Sequence, residues 1–562
     1  MNESRTSTNR SPYWSRYWTR RSVLGASGAA AAGAIVGCGG GDDDDDAGET
    51  PSASASPGAS SQPTAAPKTG GILRQVGVGD PSTFDLHQNI SVVVSGPAAP
   101  MFNGLLQMNP HKDGDIIPDL ASALPEQVDP VTLVFKISPD IKFHDGSTLT
   151  SEDVKANYDW MIKPPAGKTS TRQSILGPVV DSIETPDATT IRFKLKNPSA
   201  SFLLNQTVEY MAIGPKKVLD ADGELGKNPV GTGPFTRKSY QAGVSVELEK
   251  FPNYFRKGLP YLDGLVIHIL ADRRTALENF LAGKVHMLAP SAEETAEIKS
   301  RLGDKVVLTE AASNSRNMLF MNTSKAPFND PRVREALSLL FDREEHTALV
   351  YQGRGGTLGG YMAPAPNGVW SLPEAEIKKI SGYSGADVTK AKSLLSAAGV
   401  TSGTTWKLVS RNIYENLAVW CVEQLRKAGI TATPQLLDTG AAYAAGNEGA
   451  FDLFPWTAVP ALDDPDAVLG DIGGMTFAVR NWSKTNDPEV DRLYNTQTKT
   501  LDIAERKKLV NELDKRLVST FQTLQFGYAS PTYAHYKAVM NKTYLMNENY
   551  TNRTYEDVWL NA

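Results

Sequence analysis

Cysteine is nearly absent from this chain of 562 residues: only Cys38 and Cys421 occur. Cys38 falls in a leader described below, so the rest of the chain holds one thiol and no internal disulfide. Cys421 sits with Leu417, Trp420, Val422 and Leu425 in an amphipathic run ending at Lys427-Ala428-Gly429, which reads as a packed core cysteine rather than a nucleophile. Metal-binding spacing is also missing. The histidines, at positions 87, 111, 144, 268, 286, 346 and 535, are scattered, and none forms His-Glu-x-x-His or another ligand pair at helical spacing. There is no Gly-x-Ser-x-Gly elbow. Gly167-Lys168-Thr169 imitates the end of a phosphate loop, but Ile162 stands where its first glycine belongs. Gly353-Arg354-Gly355-Gly356-Thr357-Leu358-Gly359-Gly360 lacks dinucleotide spacing, because Leu358 occupies the last glycine position; it reads as a flexible turn. No sequence pattern pairs two acids as acid and base. These absences argue against a metal, triad or phosphate-loop enzyme, and no catalytic residue, metal site or cofactor is expected. A formal net charge of -6 gives no reason to expect nucleic acid as a partner.

What is present begins in the first forty positions. Arg5, Arg10, Arg16, Arg20 and Arg21 face one acid, Glu3, ahead of a small-residue apolar run from Val23 to Gly37. That run is shorter than the ~20 residues a membrane helix needs, so the segment reads as an export signal. Arg20-Arg21 resembles a twin-arginine signal, with Val23 where such signals usually carry Phe. Ile35-Val36-Gly37-Cys38 resembles a lipobox, which implies lipidation of Cys38 and a water-soluble body tied to the outer face of a membrane. From Gly39 to about Lys68 the chain is Gly, Asp, Ser, Ala and Pro, with an unbroken acidic run from Asp42 to Asp46. Such a segment has little to bury and stays extended, a stalk of residues 39–68.

The remainder, Thr69 to Ala562, is too long for one simple core, so two or three domains are expected. Hydrophobic content of 40% and charged content of 21% are those of a globular protein. The pattern is mixed α and β. Val131, Leu133, Phe135 and Ile137 alternate with Thr132 and Lys136, and Ile191, Phe193 and Leu195 alternate with Arg192, Lys194 and Lys196. Thr150 is placed to cap a helix over Ser151 to Met161, with Asp153 at its third position. Asp330 precedes Pro331 and a helix with Val333, Leu337 and Leu340 on one face. Asp387 opens a helix with Ala391, Leu394, Leu395 and Ala398 that Gly399 ends, and Asp502 opens one with Leu509, Leu513 and Leu517 inward. No internal repeat is visible, and beyond the leader no transmembrane segment.

An ordered series of motifs runs through this body. Gly70-Gly71-Ile72-Leu73-Arg74 and Pro81-Ser82-Thr83-Phe84-Asp85-Leu86-His87 open it, followed by Pro118-Asp119-Leu120-Ala121, Ile141-Lys142-Phe143-His144-Asp145-Gly146 and Leu149-Thr150-Ser151-Glu152-Asp153-Val154. Pro229-Val230-Gly231-Thr232-Gly233-Pro234-Phe235, then Pro327-Phe328-Asn329-Asp330-Pro331-Arg332-Val333-Arg334, then Asp487-Pro488-Glu489-Val490-Asp491 complete it. The series resembles the family 5 extracellular solute-binding proteins, the peptide- and nickel-type receptors of ABC importers, over nearly all of Thr69 to Ala562. Most of these residues read as structural: His144-Asp145-Gly146 suits a turn, and Gly231 and Gly233 suit a tight crossing between lobes.

The resemblance implies an α/β, two-lobed periplasmic-binding-protein fold (class II, Venus-flytrap) with mixed sheets. A first lobe over residues 69–312 would contain an extra subdomain at about 97–214; a second would span 313–530, and 531–562 would return to the first. The implied function is capture of a solute, a peptide by family frequency, in the interlobe cleft and delivery to a membrane permease and its ATPase, by a monomer. A sensor or chaperone that presents ligand is the alternative of the same fold. Peptide-binding relatives carry an aspartate three residues after a tryptophan of the second lobe, where it pairs with the peptide ammonium. Here Trp456, Thr457 and Ala458 precede Val459 at that position. Either Asp463 or Asp464 substitutes, or the ligand has no free amine there and is a modified peptide, an opine, a sugar or a metal chelate. Arg411 lies near the position of a carboxylate-binding arginine of dipeptide-binding relatives; its other reading is a solvated loop residue. Trp456 reads as a pocket wall or as core packing, Tyr414 and Tyr443 as further wall candidates, and Trp420 as core.

Overall fold

A computed structural model describes residues 66–561, apart from 113, 312, 366, 367, 461, 473, 479 and 545–554. The leader with Arg20, Arg21 and Cys38, and the acidic segment through residue 65, lie outside the described residues.

The chain builds two bodies, each around its own sheet. The first holds a seven-stranded mixed sheet in the order Val306–Glu310, Thr532–Tyr536, Met287–Leu288, Ile72–Gly77, Gly264–Ile269, Ser245–Lys250, Phe235–Gln241. At its centre Ile72–Gly77 runs parallel to both neighbours, Gly264–Ile269 and Met287–Leu288. Beside it stands a four-stranded antiparallel sheet of Glu126–Asp129, Thr132–Lys136, Thr190–Leu195 and Val180–Asp187. The expected alternation holds there: Leu133, Phe135, Ile191, Phe193 and Leu195 are buried. Helix Ser151–Ile162 covers this layer, with Tyr158 edge-on to Phe193 at 4.9 Å. Thr150 and Asp153 cap it reciprocally, each accepting the other's backbone N–H.

The second body holds a six-stranded mixed sheet in the order Gly355–Thr357, Thr523–Ala529, Arg316–Met321, Leu453–Ala458, Thr405–Arg411, Thr431–Leu437. Arg316–Met321 is buried along its whole length. Its two faces follow the period of two. Leu319 and Met321 pack with Leu337, Leu340, Leu417 and Cys421 on one side. Met318 and Phe320 pack with Phe454, Trp456 and Trp482 on the other. Asp330, Asp387 and Asp502 cap their helices through the N–H groups of Arg332, Lys390 and Glu505. In helix Ile503–Ser519 the inward stripe is Val510, Leu513 and Leu517, while Leu509 is half-buried. Cys421 is fully buried, and burial pushes its thiol pKa well up.

The chain passes from the first sheet to the second between Glu310 and Arg316 and returns between Ala529 and Thr532. The two passages are tied side by side: Ala311 N–H donates to Pro531 O, and Ala529 N–H donates to Ser315 O, each at 2.9 Å.

Two expectations change. Gly231 and Gly233 do lie at a tight approach, but inside the first body rather than between the lobes. A Cβ on Gly231 would stand 2.1 Å from Met101 O, and one on Gly233 2.4 Å from Met101 C. His144 closes the same knot, with Nε2 3.0 Å from Gly233 O and its N–H donating to Gly231 O. Burial lowers the His144 pKa to about 4, so it is a neutral structural imidazole. The glycine-rich run near 355, expected as a flexible turn, contains the edge strand Gly355–Thr357. Gly355 has φ +97° and leaves only 2.4 Å between an added Cβ and Tyr528 O, which explains glycine there by backbone approach.

Candidate functional site

Strand Leu453–Ala458 reaches the passage between the bodies at its carboxyl end. Asn314 Nδ2 donates to Pro460 O at 3.3 Å and so joins that end to the crossing segment. Trp456 is 1% exposed. Around it stand Trp482 at 4.8 Å, Tyr443 at 5.2 Å and Tyr414 at 5.4 Å between ring centroids, all edge-on. Two guanidiniums cover this cluster: Arg411 lies 5.3 Å and Arg480 6.0 Å from the Trp456 centroid. Trp456 is thus the inner member of an aromatic box, while Tyr443 is exposed and Tyr414 and Arg411 are half-buried. Its Nε1 has no hydrogen-bond partner among the described residues.

Arg411 donates to Tyr414 Oη at 3.0 Å and to Thr439 Oγ1 at 2.9 Å. No carboxylate lies within ion-pair distance of it among the described residues. Arg480 is paired with Asp471 and lies on the Trp482 face at 5.7 Å. Burial, aided by the like charges of Arg316 and Arg411, lowers the Arg480 pKa. The cluster is therefore cationic and amphipathic, suited to a planar or acidic group.

The remaining candidates separate. The Thr457 hydroxyl points to the opposite sheet face, where it donates to Asn317 Oδ1 at 2.7 Å; Asn317 in turn meets His346 Nε2 at 3.0 Å. Ala458 is buried opposite Arg316. Val459, just beyond the strand, is 65% exposed. Asp464 is committed elsewhere: both its oxygens accept from Arg506, each at 2.8 Å, in a buried pair. The Asp463 backbone carbonyl accepts from Trp370 Nε1 at 3.3 Å. Trp420 is core, packed on Phe341, His346 and Phe526. Arg480 and Trp482 were not found from sequence, because no periodic pattern joins them to Trp456.

The first body faces the same seam with a cavity of about 260 Å³. Gly77 to Gly79, Ile269 and Ala289 line it, at the carboxyl ends of the three parallel strands. The chain passes from Gly264–Ile269 over the central strand to Met287–Leu288 through helix Arg273–Leu281, and ligand crevices form outside strand ends at such switch points. Arg354 of the second body donates to Pro290 O and Thr532 Oγ1, each at 3.2 Å, next to this cavity's rim. Among the described residues no group of three or more His, Cys, Asp or Glu is arranged to hold a metal, and no helix is long and apolar enough to cross a membrane.

The pattern of the bacterial extracellular solute-binding proteins, family 5, matches residues 115–477, so the chain belongs to that family. It is 26% identical over 453 residues to the glutathione-binding protein GsiB of Pectobacterium atrosepticum, covering 77% of this chain and 83% of the relative. The structure superposes on the binding protein AgaA of A. tumefacien R10 in complex with agropinic acid, with TM-score 0.74, 26% identity and 88% and 99% of the two chains covered. It also superposes on the periplasmic binding protein DppA of Helicobacter pylori in complex with the peptide STSA, with TM-score 0.75, 22% identity and coverage of 88% and 99%. The fold is the two-lobed, mixed α/β fold of periplasmic binding proteins, and the protein captures a solute for delivery to an ABC importer.

Proposed function

We propose that this chain is a lipid-anchored receptor that closes its two lobes on a short peptide or peptide-like solute and presents it, as a monomer, to a permease and ATPase. The observation that carries the reading is the pair of faces at one seam: the cavity at the parallel strand ends of the first body, and the Trp456, Tyr414 and Arg411 cluster of the second. Closure is a population shift, driven only by contacts that the open form lacks. The lobes are proposed as 69–312 with 531–562, and 313–530, with an extra subdomain at about 97–214; the two passages near 310–316 and 529–532 support those limits. Residues 1–38 would be the export leader, Cys38 the lipid attachment and 39–68 the stalk. The binding of solute involves no catalysis.

A second reading, a ligand without a free amine such as an opine, an oligosaccharide or a metal chelate, is favoured by Val459. Its exposed apolar side chain offers no counter-charge to an ammonium, and Asp464 is spent on Arg506. The test is a thermal-shift screen of the detergent-solubilised chain against free and N-acetylated peptides, glutathione, opines, sugars and chelates. Ligand at a hundred times its Kd should stabilise by about 2.7 kcal/mol. Response to free but not acetylated peptides supports the peptide reading with another acid as anchor. Response only to amine-free solutes replaces it with the second reading. Replacing Cys38 with Ser should release the protein from membranes; retention would overturn the anchor.

A further inference from the structure

One row of side chains crosses four strands beneath the cavity of the first body. Val246 stands opposite Ile267, Ile267 beside Gln75, and Gln75 beside Met287, by the registers of Ser245–Lys250, Gly264–Ile269, Ile72–Gly77 and Met287–Leu288. All four residues line the cavity. Three are apolar. The fourth is spent, because Gln75 Oε1 accepts from Tyr555 Oη at 2.8 Å. Ile269, two residues beyond Ile267, carries the same face to the strand end. Helix Val92–Ala98 closes the far wall with Val92, Val93 and Pro97. Between them Gly96 leaves room: a Cβ there would meet nothing within 4 Å. On the open side Val78 and Val92, 61% and 45% exposed, hold apolar side chains in solvent.

The aromatic end of the cavity is engaged within the protein. Tyr533 and Tyr544 stack at 4.4 Å between centroids. The Lys542 ammonium lies 4.4 Å from the Tyr555 centroid and is engaged by the protein itself. No acid stands among the described residues that line the cavity. What the cavity offers a ligand is therefore aliphatic surface. Its volume of about 260 Å³ exceeds the ~150 Å³ of an apolar cavity that takes up benzene. It falls short of the ~300–1,000 Å³ that encloses a whole small ligand. It fits one arm of a solute.

We propose that this cavity is a subsite for one branched aliphatic or aromatic side chain of the transported solute, which makes that solute a peptide-like molecule with an apolar arm. The proposal rests on the peptide reading above. Across the seam the second body adds apolar surface of its own: Val459 and Ile413 are exposed just beyond the ends of Leu453–Ala458 and Thr405–Arg411. Glutathione, with one thiol side chain and two carboxylates, offers the cavity no such arm.

Titration calorimetry on the full chain in detergent would compare trialanine, its analogues with leucine or glutamate at each single position, and glutathione, with every peptide also N-acetylated. Each buried apolar carbon is worth about fourfold in affinity, and leucine carries three more than alanine. At one position leucine should therefore bind at least about 10-fold more tightly than alanine, and glutamate there no more tightly than alanine. Gly79→Leu narrows the mouth: a Cβ at Gly79 would make ordinary contact with Val93 at 3.5 Å, so the branch starts without a clash. In that variant the leucine and alanine peptides should bind within about twofold of each other. The subsite falls and the peptide reading stands if leucine and glutamate score alike at every position, if glutathione outbinds every leucine peptide, or if folded Gly79→Leu keeps the preference. Should Gly79→Leu not fold, the ranking of the peptides by the native chain decides alone. Failure of every probe, glutathione included, overturns the peptide reading and the subsite together.

Discussion

Replacing Asp514 with Asn should make the protein more stable near neutrality and leave that gain absent in acid. Asp514 sits in helix Ile503–Ser519 with its carboxyl fully buried. It accepts from Tyr361 N–H at 2.8 Å, and its Oδ2 has no partner among the described residues. Burial raises its pKa from 3.8 to about 6, against the opposing pull of backbone N–H groups and of Arg316. Because the folded pKa lies above the unfolded one, the folded state holds the proton more tightly. The contribution is fully favourable below pH 3.8 and is lost as pH climbs through about 6, the reverse of a salt-bridged carboxylate. That interval, at ~1.36 kcal/mol per pH unit, sets about 3 kcal/mol. Asparagine keeps the shape and one acceptor for Tyr361 and never ionises. Urea unfolding of both proteins from pH 4 to pH 8 should show the stability difference moving toward the variant by about 2.4 kcal/mol, mostly between pH 4 and pH 6. A difference that stays constant across this range, or moves the other way, refutes the argument that burial governs Asp514.

Two further outcomes test the packing. Gly233→Ala should lower stability by about 3 kcal/mol or more, because its Cβ meets Pro100 O at 2.5 Å and Met101 C at 2.4 Å, backbone atoms that cannot step aside; Gly146→Ala, with open space around it, should cost only about 1 kcal/mol in the same thermal melts. Arg506→Met should cost about 3–5 kcal/mol by stranding Asp464 and Asp466 in the interior, and adding Asp464→Leu with Asp466→Asn should recover much of that loss in urea titrations, whereas a triple variant as weak as the single one would refute the charge argument.

By itself the sequence determined what is local or carried by ordered motifs. Thr150, Asp330, Asp387 and Asp502 announced their helices because a capping carboxylate or hydroxyl acts within three residues. Ile191, Phe193 and Leu195 announced their strand because side chains alternate across a sheet, and the motif series announced the family that the comparison bears out. Only the tertiary structure decided which polar groups remain available. Asp464 and Arg506 are far apart in the chain, and their pairing withdraws one candidate anchor. Trp456 stands in a segment that resembles a ligand-binding segment of peptide-binding relatives, yet its burial depends on Trp482, Tyr443 and Tyr414 arriving from separate elements. Lys542 carries no local signal at all, and its place between two rings follows from the final return of the chain to the first sheet. Caps and alternation are properties of neighbours along the backbone, whereas the charge, burial and commitment of a side chain are set by whatever the fold brings against it.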